Sequence, residues 1–117
     1  MNIEEIRDYC LSKKGVTEGF PFDDKILVFK VMTKMFVLTN ITGELKISLK
    51  CNPEKAIDLR ELYSFVHPGY HLSKKHWNTI EVENSIDNKL LKLWIDDSYN
   101  LIVGSLTKKL QLELAQL

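Results

Sequence analysis

The stretch "NIEEIRDYCLSKKG" spaces Ile3, Ile6, Tyr9 and Cys10 three and four apart, one face of an α-helix. Asn2 stands where a helix cap belongs, and Glu5 follows three positions later, so the two complete a capping box. Lys13 and Lys14 complement the negative end of the helix dipole, and Gly15 supplies the left-handed residue that ends it. The next residues, "VTEGFPFDD", read as a loop anchored by Phe20 and Phe22 around Pro21.

From Lys25 the period changes. "KILVFKVMTKMFVLTNITGELKISLK" is rich in β-formers, with strands expected at Lys25–Val31, Lys34–Thr39 and Glu44–Lys50. In the last, Leu45, Ile47 and Leu49 alternate with Glu44, Lys46, Ser48 and Lys50, which describes a sheet packed on one face and wet on the other. Thr42-Gly43 marks one turn. Met32-Thr33 is a poor two-residue turn because neither residue accepts positive φ easily, so a longer loop is expected there.

Helical spacing returns in "CNPEKAIDLRELYSFVHPG". Asn52 caps it, Pro53 takes the first helical position, and Ala56, Leu59, Tyr63 and Val66 form one face until Pro68-Gly69 stops the helix. "HWNTIEVE" is a fourth strand. From Asp87 a long helix places Leu90, Leu91, Trp94, Ile95, Ser98, Leu101 and Ile102 on one face, and Thr107 caps a short last helix. No repeat, linker or composition shift interrupts the chain, so residues 1–117 read as a single α+β domain.

Composition narrows the partners. Sixteen basic residues balance sixteen acidic ones among 117, so any phosphate-binding surface has to be a local patch. Cys10 and Cys51 lack metal-ligand spacing. No apolar run reaches the roughly 18 residues of a membrane span, and Met1 leads directly into a charged amphipathic segment. A cytoplasmic protein with reduced thiols is the expectation.

The segments "FPFDDKILVFKV", "KMFVL", "ISLKCNPEKAIDLRELY", "PGYHLSKKHWNTI" and "DDSYNLIVGSL" resemble, in order, the MmcQ/YjbR-like family of small bacterial proteins. The likeness runs from about Tyr9 to Lys109, and Pro68 to Thr79 is its most specific part. It implies a CyaY-like two-layer sandwich, with helices packed on one face of an antiparallel sheet. It also implies DNA binding through a "double wing" of projecting loops, a function assigned by shape. The family usually carries a Gly-Lys pair where this chain has Thr33-Lys34, so one wing tip is altered.

All three histidines, His67, His71 and His76, fall within "VHPGYHLSKKHWNTIEV". A metal site would need two of them on one helical face, and Pro68-Gly69 breaks that geometry, so no metal or other cofactor is expected. Cys51 precedes a helix start, where a thiol pKa can fall, but it also continues the buried face of its strand and reads as core. An enzyme therefore ranks below a binding module.

The remaining chemistry is a basic, aromatic loop: Tyr70, His71, Lys74, Lys75 and His76, with Lys34 as a second-wing candidate. Lysines hold phosphates and rings stack on bases, so DNA is the expected partner. The alternative is a protein-interaction or small-ligand-binding domain using the open sheet face or the same loop. Lys30, Lys46, Lys50, Lys74 and Lys75 gathered on one surface favour nucleic acid; scattered among Glu44, Glu54 and Glu81 they oppose it. The leucines of the tail, Leu110, Leu112, Leu114 and Leu117, also suit a homodimer through the C-terminal helix.

Overall fold

The structure, a computed structural model, describes every residue from Met1 to Leu117. Its elements run α1 (Ile3–Leu11), β1 (Val16–Gly19), β2 (Ile26–Val31), β3 (Lys34–Asn40), β4 (Lys46–Lys50) and α2 (Pro53–Leu62), then β5 (Val66–Pro68), β6 (Trp77–Glu81), α3 (Asn88–Ser105) and α4 (Lys108–Ala115). The strands form one antiparallel sheet in the order β1-β2-β3-β4-β6-β5. This is the expected α+β two-layer arrangement.

Local chemistry starts each helix. Asn2 and Glu5 close the capping box of α1, and Asn52 Oδ1 accepts from Glu54 N at 3.0 Å ahead of Pro53. Asp87 and Thr107 cap α3 and α4 through Lys89 N and Leu110 N. Each such cap is worth about 1 kcal/mol. The helices then bury their apolar stripes on one side of the sheet. Leu27, Phe29 and Val31 of β2, Ile47 and Leu49 of β4 and Ile80 of β6 pack with Ile6, Cys10, Leu91, Trp94, Ile95 and Ile102. Full burial of each large apolar side chain contributes roughly 1.5–3 kcal/mol.

One irregularity sits at the centre. Phe29 pairs with Val37 and Lys30 with Met35, so Phe36 is an extra residue in β3, and both Phe36 and Val37 are buried. The bulge frees backbone groups that Ser98, fully buried on α3, satisfies. Its hydroxyl donates to Phe36 O at 2.6 Å and accepts from Lys50 N at 2.9 Å.

Four expectations are corrected. Residues 16–19 form the edge strand β1, because Val16 joins the ladder opposite Val31. Phe20 and Phe22 anchor nothing: they are 48% and 64% exposed. Helix α2 ends at Leu62, before Pro68-Gly69, and Val66 belongs to β5. Beyond that end, Tyr63 and Phe65 pack their rings against Trp94 at 5.3 and 6.3 Å, which an onward helix would forgo. Finally, Met32-Thr33 is a two-residue turn after all, with φ of 47° and 77°. The register of β2 against β3 leaves no further residue for a loop, so the sheet imposes the left-handed pair.

Candidate functional site

Alternation along the strands decides what the side away from the helices presents. Residues paired across an antiparallel ladder share a face. Because Phe29, Ile47, Leu49 and Ile80 point to the helices, their neighbours point outward in three tiers. The first tier is Ile26, Asn40, Lys46 and Glu81. The middle tier is Val28, Leu38, Ser48, Thr79 and His67. The last is Thr17, Lys30, Met35, Lys50 and Trp77.

Two loops rise beside this face. Residues 20–25 are closed by Asp23, whose carboxylate accepts from Lys25 N at 2.8 Å and Ile26 N at 2.9 Å. Those two amides hold its pKa below the usual carboxylate range. Residues 69–76 form the other loop. There Tyr70 N donates to Thr79 Oγ1 at 3.0 Å, which bends the chain onto the open face. Gly69 is needed at the bend, since a Cβ would come within 2.8 Å of Trp77 Cβ. From the helix side Arg60 fastens the loop, donating to Lys74 O, to Trp77 O and, at 2.6 Å, to Asn78 Oδ1. Between the two loops lies an open groove of about 840 Å³, floored by Leu38, Ser48 and Thr79.

The expected contact residues divide. Tyr70 and His71 line the groove as a ring pair with centroids 4.0 Å apart, and His71 takes a left-handed φ of 56°. Lys74 and Lys75 are exposed in the same loop just before β6. The Lys74 ammonium donates to Gly69 O at 2.9 Å, holding the loop's own backbone. His76 is half-buried, its carbonyl accepting from Cys51 N. Lys34 stands apart: its ammonium reaches Ser105 O, 3.4 Å away at the end of α3, on the helix side.

The lysines separate by tier. Lys30 and Lys50 share the tier nearest the Lys74-Lys75 loop, and no carboxylate belongs to that tier. Lys46 lies in the opposite tier across from Glu81, near Glu44 and Asp23 in the groove lining. Glu54 opens α2. The open face is thus dipolar, basic at one end and acidic at the other, in a chain of zero formal charge.

The histidines have separate surroundings. His67 Nε2 stands 2.9 Å from Glu81 Oε1, but the approach is off the hydrogen-bonding axis, and the nitrogen is shut off from solvent without an aligned partner. No three His, Cys, Asp or Glu side chains come together as a metal-holding group. Both cysteines are buried and free; burial pushes the Cys10 thiol up to about 12 and raises that of Cys51 as well. Asp96 gathers Tyr9 Oη at 2.6 Å and Lys13 Nζ at 2.5 Å, and Tyr99 Oη donates to Lys14 O at 2.6 Å. That cluster fastens α1 to α3.

Sequence reading missed most of the groove. Its floor could be found in the outward parity of Ser48 in β4, but the facing loops and Arg60 are brought in by contacts distant along the chain.

A sheet covered by helices on one side, with two loops flanking an open and dipolar other side, defines a small α+β open-faced sandwich. The family model for YjbR matches residues 11–101, and the chain belongs to the YjbR family. It is similar to the uncharacterized protein YjbR of Escherichia coli strain K12, 32% identical over 118 residues covering 100% of both chains. The uncharacterized protein YbdF of Escherichia coli O157:H7 is 38% identical over 91 residues, 77% of this chain and 75% of that protein. Among solved structures, Deinococcus radiodurans protein DR2400 aligns with a TM-score of 0.90 at 38% identity, covering 97% of this chain and 88% of its own. A Pseudomonas syringae protein aligns at 0.76 and 27% identity, over 86% and 98%.

Proposed function

We propose that this chain is a cytoplasmic, non-catalytic nucleic-acid-binding module in which the loop of residues 69–76 acts as a wing beside the sheet. The observation that carries the reading is the lysine-bearing end of the open face. Lys30 and Lys50 share one tier there, and the loop bearing Lys74 and Lys75 enters β6 beside it. Two strand spacings separate Lys30 from Lys50, roughly 10 Å, so a backbone strand could lie across both. Lys75 makes neither an ion pair nor a hydrogen bond and is free for phosphate, while Tyr70, 71% exposed, offers a stacking face in the same loop. Both thiols are free, in keeping with a reducing compartment.

Phosphate contacts of this kind are weak singly and sensitive to salt. A gel-shift assay at low salt, with duplex and single-stranded probes, is expected to show a complex at micromolar protein. The Lys74→Glu/Lys75→Glu double variant should retard the same probes less. Absence of any shift by the unaltered chain at high micromolar concentration removes the proposal.

A further inference from the structure

The acidic end of the groove is chemically unlike the lysine-bearing end, and phosphate recognition does not use it. Asp23, Glu44 and Glu81 line it with Lys46 as the only lysine. The two backbone amides that orient Asp23 also keep it ionised, and its second oxygen is uncommitted. Glu44 has no side-chain partner, and Glu81 meets His67 off axis, leaving a solvent-shut nitrogen unpaired beside a carboxylate oxygen. A planar guanidinium, with several N–H donors in a fixed fork, can address neighbouring acceptors of this kind at once.

Away from the carboxylates the lining mixes apolar and aromatic side chains with the polar side chains of Thr39, Asn40, Ser48 and Thr79. Ile26 and Leu38 are the apolar part of a floor shared with Ser48 and Thr79, while Phe22 and Tyr70, among the most exposed large hydrophobic side chains of the molecule, flank it. Its volume of about 840 Å³ far exceeds one side chain. From charge complementarity and this lining we infer that the groove is a second binding site, for an extended peptide segment of a partner protein that carries an arginine between apolar residues. The guanidinium docks at Glu44 and Glu81, the flanking side chains lie on Leu38 and against Tyr70, and the Phe22 ring is available for a cation–π contact.

The probe is a blocked tripeptide, N-acetyl-Leu-Arg-Leu-amide, titrated into the ¹⁵N-labelled full chain, with the Leu-Gln-Leu analogue as control. The arginine peptide is expected to shift the amide signals of Leu38, Ser48, Thr79 and Glu81 at millimolar concentration or below. The glutamine analogue should bind at least about tenfold more weakly, as should the arginine peptide to Glu44→Gln or Glu81→Gln, each change removing a charge-assisted contact. Glu44 makes no side-chain hydrogen bond, so its variant keeps the test valid even if Glu81→Gln disturbs the sheet. Equal shifts with both peptides, unchanged affinity in Glu44→Gln, or no groove shift at millimolar peptide overturns the inference.

Discussion

Ser98 illustrates how one residue can hold a sheet together. The β3 bulge leaves Phe36 O and Lys50 N without ladder partners, and a single hydroxyl from α3 satisfies both. Ser98→Ala strands a buried acceptor and a part-buried donor, so unfolding in urea should show a loss of roughly 1–3 kcal/mol. An effect below about 0.5 kcal/mol would mean that water replaces the hydroxyl. The thiols and phenols give a second residue-scale prediction. Burial raises Cys10 from 9.0 to about 12, and burial followed by the hydrogen bond to Asp96 raises Tyr9 from 10.0 to about 12. Both groups hold their protons more tightly folded than unfolded, so their stabilisation is complete below the unfolded pKa values. It is lost as pH rises from about 9 towards 12. Thermal unfolding midpoints should therefore fall over that alkaline window, and neither cysteine should react with a thiol reagent at neutral pH before unfolding.

Elements were legible wherever their causes were local. Asn2, Asn52 and Thr107 announced helix starts because a cap is an interaction across three residues. The alternation of β4 gave both its faces. Where distant partners decide, the local signal misleads: β1 exists because β2 offers an edge, and Tyr63 leaves the helix because Trp94 lies across from it. The family resemblance supplied the layer order that periodicity alone left open. The Met32-Thr33 turn shows local preference losing to register, and the strain remains in place. Thr33 is β-branched and exposed at a φ of 77°. Thr33→Gly should accordingly raise stability by about 0.5–1 kcal/mol, the relief of a left-handed β-branched residue less the flexibility that glycine gains when unfolded. Destabilisation on denaturant titration would show that the threonine side chain has a role its exposure conceals.

For the molecule as a whole, zero net charge conceals a separation of charge across one face. The sequence named Lys30, Lys46 and Lys50 as the residues to watch, but their tiers follow only from strand order and register. Those tiers set Lys30 and Lys50 at the end of the face where the 69–76 loop enters β6, and Lys46 among carboxylates. They also assign Lys34 to the other side of the molecule, which makes it an internal control. The most direct test is nucleic-acid affinity measured by fluorescence anisotropy across a salt series. Neutralising Lys30, Lys50 and Lys75 together to Gln should flatten the slope of log affinity against log salt by about two to three, near one for each phosphate that no longer meets a cation. Lys34→Gln should leave both slope and affinity unchanged. A flat salt dependence in the unaltered chain, or equal losses from Lys34→Gln and the triple variant, would contradict a binding surface at the lysine-bearing end of the open face.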